Sequence, residues 1–297
     1  MKLLKRASIV FSLLLFLAPP VASAATSPSL GVADPYSILS GTYTNTAPGT
    51  VLNGDLGYTT GPATPATVSG STHVADATYN QAGIDQGTAL SNLNSQACTF
   101  TFAPGAIDLA TDTTHGPVGV YTPGVYCITG AASIGGGGTM TLNGAGTYIF
   151  RMVGALNTSA NSIVTTTNGA NGCSLWWTPT AATTLGANST FLGTDIDASG
   201  ITIGSTVTWT GRALAFGGTV STSVDTINTV PACTATSTTG TTTTSGGTTT
   251  STTPGLPNTG NAPQQSGRLW PSVLIGIAIV LSVTTFYAVR KKRFGSI

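Results

Sequence analysis

Asp195 and Asp197, two residues apart, are the nearest approach in this chain to the paired carboxylates of acid–base hydrolysis. That chemistry needs two carboxyl groups about 5–9 Å apart on either side of a cleft. An i, i+2 spacing in extended chain places both on one strand face, with no basic residue nearby in sequence and nothing that marks a cleft. The pair reads as solvated turn or strand-edge residues. His73 and His115 are far apart, and neither adjoins a nucleophile motif of the strand–turn–helix type. Cys98, Cys127, Cys173 and Cys233 are nowhere closer than 29 residues, which does not suit a metal site. In an oxidising compartment they read as two disulfides, with three pairings open. The preferred pairing is Cys98–Cys127 with Cys173–Cys233, because the second bridge would lock the last folded segment where a linker begins. The run Gly135–Gly138 has neither Walker spacing nor a helical pattern after it, so it suits tight turns rather than phosphate. No catalytic residue, cofactor or metal is expected.

Charge excludes another class. Ionisable Asp, Glu, Lys and Arg make up 6% of the chain, against roughly 25% in an average soluble protein. Lys2, Lys5, Lys291 and Lys292, the only lysines, lie at the two ends. Between Ala25 and Cys233 stand nine aspartates, no glutamate and only Arg151 and Arg212, so that region carries −7 although the whole chain is +1. Nucleic-acid binding needs clustered Lys and Arg to displace counterions, and this region has none.

The ends read as addresses. Residues 1–24 combine a basic start, an apolar run from Ile9 to Leu17 and Ala22-Ser23-Ala24, the pattern of a secretory signal peptide cut after Ala24. Residues 271–289 form a mainly apolar run long enough to span a bilayer, and the basic tail 290–297 should stay on the cytoplasmic side. Just upstream, Leu256-Pro257-Asn258-Thr259-Gly260 precedes that span. Pentapeptide, span and basic tail together resemble the cell-wall sorting signal of sortase substrates. The resemblance implies a cut between Thr259 and Gly260 and transfer to peptidoglycan; the alternative is a permanent single-span membrane anchor. Residues 234–255 are almost wholly Thr, Ser and Gly and read as a flexible stalk. Either way the folded region, 25–233, is expected outside the cell.

These addresses frame a body built mostly of β-type sequence. Residues 74–97 lack Pro and carry Ile84, Leu90, Leu93 and Ala97 at roughly helical spacing, with Asp76 near the positive end of the helix dipole. One long helix is expected there, its stripe lying against the flank of the β structure. From Leu185 to Ile227 the chain nearly repeats itself: Phe191, Trp209 and Ile227 are 18 residues apart, as are Gly193 and Gly211, and Gly200 and Gly218. Such a period with β-branched content marks stacked solenoid coils. Stacking would array the hydroxyl-rich stretches between these anchors on one surface.

Val51–Gly57, His73–Ala77, Pro123–Tyr126, Gly146–Met152, Leu185–Thr194 and Gly211–Ala215 recur in this order in a known family. The chain resembles the ice-binding-like family of microbial antifreeze proteins from about Leu30 to Ile227. The resemblance implies a mainly β fold, a discontinuous right-handed β-solenoid of triangular section with one long flanking α-helix. It also implies that N-terminal strands complete coils begun near the C-terminus. The partner implied is an ice crystal surface, met by a monomeric domain through one flat face. A family pattern, Thr-Ala/Gly-x-Thr/Asn, is approached at Thr158-Ser159-Ala160-Asn161 and less well at Thr202–Ser205. The expected face is Thr158, Asn161, Asn188, Thr190, Thr206, Thr208 and Thr222, with Thr44 and Thr46 from the returning N-terminal strands. A surface adhesin or polysaccharide-binding solenoid is the competing class, and a polysaccharide-acting β-helix enzyme a more distant one.

Overall fold

The computed structural model describes residues 24–230. The signal segment up to residue 23, Cys233, the stalk, the sorting motif Leu256–Gly260 and the apolar run 271–289 lie outside the described residues. Among the described residues no helix is long and apolar enough to cross a membrane, and no cluster of His, Cys, Asp or Glu suits a metal.

Short β-branched and aromatic strands follow one another around a three-sided coil, and all pair in parallel with the equivalent strand one coil away. Three ladders result. Face A stacks Phe100–Thr101, Gly124–Ile128, Tyr148–Met152 and Leu175–Pro179, then the end of Thr190–Ile196 and the middle of Thr208–Thr222. The first half of Tyr36–Asn45, then Asp55–Tyr58 and Thr72–Val74, continue the same ladder. Face B stacks Ile107–Asp108, Ala132–Ile134, Leu156–Thr158, Thr183–Leu185, Ile201–Ile203, the end of Thr208–Thr222 and the second half of Tyr36–Asn45. Face C stacks Val120–Tyr121, Thr139–Asn143, Ile163–Thr167, the starts of Thr190–Ile196 and Thr208–Thr222, then Thr226–Asn228, Val51–Asn53 and Thr67–Val68. The N-terminal strands thus complete the stack beyond the last C-terminal coil, as the resemblance implied.

The 18-residue step is a coil. Phe191 lies opposite Trp209 and Trp209 opposite Ile227, all pointing inward. Inside face A, Tyr126 stacks on Phe150 (4.9 Å between ring centroids) and Phe150 on Trp177 (4.8 Å). Buried indoles find acceptors at the corner between faces C and A: Trp177 Nε1 donates to the Leu192 carbonyl (2.9 Å) and Trp209 Nε1 to that of Gly193 (2.8 Å). Gly193 and Gly211 turn this corner with φ of 100° and 155°.

Helix α1, Ala77–Ser95, lies against face A. Asp76 is its N-cap, the side chain accepting from Tyr79 N (2.7 Å). The helix is shorter than the expected 74–97, and its buried stripe is Tyr79, Ala82, Gly83, Gln86, Ala89 and Leu93. Of the expected stripe only Leu93 is buried; Ile84 is 62% exposed. Small residues set the stripe because the helix packs close to the sheet: a methyl on Gly83 would fall 2.4 Å from the Phe216 ring. The helix also solves a connection problem. Nine stacked strands on face A span about 38 Å, and the chain must return from Thr72–Val74 at one end to Phe100–Thr101 at the other. Nineteen helical residues cover about 28 Å of that distance in one rigid element.

Cys98 and Cys127 are bridged as expected, tying the entry to the first coil onto face A. Cys173 is also disulfide-bonded; its expected partner, Cys233, lies outside the described residues. A Cβ at Gly211 would sit 1.8 Å from the Gly193 carbonyl oxygen, which also accepts from Trp209. Gly211→Ala should therefore cost about 2–4 kcal/mol, read as a lowered urea midpoint; an unchanged midpoint would show that this corner relaxes freely.

Candidate functional site

Face A is covered by α1, which leaves faces B and C to meet the surroundings. The strands of face B are three residues long in four successive coils, Ala132–Ile134 through Ile201–Ile203, and only the middle residue points outward. Strand pairing therefore draws one outward file: Ser133, Asn157, Thr184, Thr202, Ser221 and Thr44, preceded by Asp108 at the end of the stack. Two positions before this file stand Ala131, Ala155 and Ala182; two positions after it stand Gly135, Ser159, Gly186 and Gly204. With such small neighbours, no bulky side chain overhangs it. Thr44 Oγ1 and Ser221 Oγ are hydrogen-bonded at 2.7 Å, which fixes two members relative to each other.

Beyond the glycine positions the chain turns the corner between faces B and C. Here Asn161, Asn188, Thr206 and Val224 stack with φ near 60°. The backbone N–H of Asn161 donates to Ala187 O, that of Asn188 to Ser205 O and that of Thr206 to Ser223 O, so the corners form a continuous ridge. Thr206 Oγ1 donates to Asn188 Oδ1 across adjacent coils. Asn tolerates the left-handed region, whereas Thr and Val enter it at a cost. The stacked backbone bonds hold them there.

Face C carries a longer outward file: Thr139, Ile163, Thr190, Thr208, Thr226, Val51 and Thr67. Beside it lie Thr141, Thr165, Leu192, Thr210, Asn228 and Asn53, with three aliphatic residues among the two files. The segment 168–174 sits close by: a methyl on Gly172 would lie 3.5 Å from the Thr210 carbonyl and 3.8 Å from Leu192 Cβ. Face C is therefore stepped where face B is plain.

The expected site residues divide among these surfaces. Thr44 lies on face B; Asn161, Asn188 and Thr206 lie on the B–C corner, and exposed Thr46 begins the equivalent corner of its coil. Thr190 and Thr208 lie on face C. Thr158 and Thr222 must be corrected: they point inward, 8% and 1% exposed, and cannot touch a flat partner. The Thr158 hydroxyl instead accepts from Gly186 N (2.9 Å). Thr222 is bonded to the Tyr43 hydroxyl (2.9 Å) and donates to Asn45 Oδ1 (3.1 Å). The residues missed were Ser133, Asn157, Thr184, Thr202 and Ser221. Their signal was present as a polar residue between two inward ones, in Ala132-Ser133-Ile134 and Ile201-Thr202-Ile203.

The aspartates are the other correction. Asp195 and Asp197 are not solvated: they are 0% and 1% exposed. Asp197 builds the corner between faces A and B, accepting from Thr183 N and Ser199 N, both at 2.8 Å. Asp225 does the same at the B–C corner for Val207 N (2.8 Å) and Ser223 N (2.6 Å). Asp108 accepts from Ala110 N and Gly135 N. Asp195 points into the core, where neither oxygen finds a hydrogen-bond partner. Burial, reinforced by Asp197, pushes its carboxyl well above the usual range. Negative charge is thus largely withdrawn from the outward files into corners and core, leaving an array of short neutral hydroxyls and amides.

The ice-binding-like family pattern matches residues 38–228, which is all three ladders from Ile38 to Asn228. The chain belongs to the ice-binding-like family. An ice-binding protein of Nostoc sp. (strain HG1) is 32% identical over 222 residues, covering 71% of this chain and 77% of that protein. The crystal structure of an ice-binding protein from the Antarctic ascomycete Antarctomyces psychrotrophicus superposes with a TM-score of 0.61 at 26% identity, covering 69% of this chain and 99% of that one. The DUF3494 domain of a Shewanella frigidimarina ice-binding protein shares the fold, with a TM-score of 0.61 at 22% identity over 70% of this chain and 99% of that chain. This family member therefore presents its solenoid as its relatives do, with the helix on one flank.

The buried carboxylates give the fold a pH dependence. Burial raises Asp225 from 3.8 to about 6 and raises Asp197 as well. A raised carboxyl binds its proton more tightly folded than unfolded, so stability falls as pH climbs from about 4 to about 6 and levels off above. Asp76 acts with the opposite sign, but only below the ordinary carboxyl value, because the Tyr79 N–H holds it low. The urea midpoint should be higher at pH 4.5 than at pH 7, and Asp225→Asn should flatten the difference; a midpoint that rises with pH across this window would contradict the assignment.

Proposed function

We propose that this chain adsorbs to ice through face B and the adjoining B–C corner. The observation that carries the proposal is the neutral outward file Ser133–Asn157–Thr184–Thr202–Ser221–Thr44, in register on an unobstructed face, in a member of the ice-binding-like family. Strands stacked about 4.8 Å apart give a rigid array whose spacing is comparable to oxygen repeats in ice. Threonine suits it: the hydroxyl enters the hydrogen-bond net of the water layer, the methyl orders water beside it, and β-branching leaves little rotamer entropy to lose on docking. Lysine and glutamate, mobile and strongly hydrated, are absent from the whole region 25–233.

We read the chain as non-catalytic. Support comes from the two carboxylates nearest to an acid–base pair, which are enclosed in a corner and the core rather than facing a cleft. Replacing Thr184 and Thr202 together by Tyr lifts a flat partner off the file. It should lower thermal hysteresis and ice capture on a cold finger on the order of tenfold or more, with the urea midpoint unchanged. Thr208→Tyr, on face C, should leave both intact. Loss with Thr208→Tyr alone would move the site to face C; no capture by the unmodified protein would end the ice reading and leave a polysaccharide-binding adhesin.

The second part of the proposal is display at the cell surface. Its support is the signal segment, the stalk 234–255 and the order Leu256–Gly260, apolar span, basic tail. An anchored ice-binding domain attaches a cell to ice or shapes ice beside it, a role that a freely secreted protein could not fill. Thr259→Ala should hold the full-length chain in the membrane fraction. Unchanged wall attachment of that variant would rule out sortase and leave the single-span anchor.

A further inference from the structure

The last strand before the chain leaves the fold is not an edge strand. Thr226–Asn228 pairs with Thr208–Thr210 on one side and with Val51–Asn53 on the other. In an uninterrupted solenoid the final coil has a free side, each coil is held only by its neighbours, and tension on the chain end peels coils off singly. Here the N-terminal strands close over that side. The residues that follow are fastened just as densely, although chain ends ordinarily fray. Asn53 Nδ2 donates to Asn228 Oδ1 (2.7 Å), Thr229 N donates to Asn53 O (3.2 Å), and the hydroxyls of Thr229 and Ser37 are bonded at 2.6 Å. Arg212, 2% exposed, donates to the Val230 carbonyl and also to the carbonyl and carboxylate of Asp34. Gly54 leaves room for this arrangement: a methyl there would fall 2.1 Å from Thr229 Oγ1 and 2.6 Å from Ser37 Oγ.

Neither the outward file of face B nor its corner uses any of these residues. We infer that they form a tension-bearing latch. Load drawn through the segment that leaves at Val230 is resisted by two backbone ladders sheared together, plus the Arg212 clamp, instead of by a strand peeled from one side. The contrast lies within the same molecule. Phe100–Thr101, at the far end of face A, pairs only with Gly124–Ile128 among the described strands, so load entering there meets a single ladder.

The inference rests on strand pairing and requires no ice, so its test is independent of the adsorption reading. Single-molecule force spectroscopy on the full chain in detergent compares two attachments, each opposed by a handle at Thr202→Cys on face B. With the second handle after Ile297, one high-force rupture is expected. With it at Thr101→Cys, rupture should begin at lower force and proceed in smaller steps. Thr229→Val and Gly54→Ala should speed rupture at fixed force about tenfold or more in the first geometry, as for loss of a buried hydrogen bond, and leave the second unchanged. Equal rupture forces in the two geometries, or variants that speed both alike, would overturn the latch. Should Gly54→Ala fail to fold, Thr229→Val decides the question alone.

Discussion

In-register parallel pairing is the constraint on which everything else depends. It sets equivalent residues of successive coils one strand spacing apart, about 4.8 Å, and it does so on both sides of every strand at once. On the inside this spacing lets Tyr126, Phe150 and Trp177 stack ring on ring. On the outside the same register lines up Asn157, Thr184 and Thr202. The core and the candidate surface are therefore one ladder seen from two sides. A coil that slipped by one residue would bury the polar file and expose the core.

Corners are where this constraint is hardest to meet, because the chain leaves the ladder and its amides still need acceptors. Asp108, Asp197 and Asp225 answer by each accepting two backbone N–H groups. The acidity of the domain is explained by that structural task, and the outward files stay nearly free of charge. Coil length is set at the corners as well. Along face B the step is 24 residues from Ser133 to Asn157, 27 from Asn157 to Thr184 and 18 from Thr184 to Thr202, yet the file stays in line. Extra residues leave the ladder as loops, such as 168–174 beside face C. Function read from such a solenoid belongs to the strands, whose positions are fixed, more than to the loops between them.

Much of this was legible in the chain before any coordinates. The 18-residue step of Phe191, Trp209 and Ile227 identified the coils because large apolar residues recur wherever a coil must fill the same core position. The helix was legible because Pro vanishes from 74–97, and the bridge Cys98–Cys127 was among the readings of four cysteines. Less visible was which side of a strand each threonine occupies. Thr158 and Thr222 have the composition of surface residues but fill inward positions, where their hydroxyls replace backbone partners. Ile84 looked like core and faces out, since the helix rests on its small residues.

The sequence by itself determined the coil, the scarcity of charge, the flanking helix and the addresses at either end, because each is a property of local pattern or composition. Only the tertiary structure decided which threonines form a surface, where the aspartates go and what lies on each side of the final strand. The reason is physical. Facing is fixed by register, and register is fixed by pairing between strands distant in sequence, as when Val51–Asn53 closes over Thr226–Asn228. No window of adjacent residues contains that information.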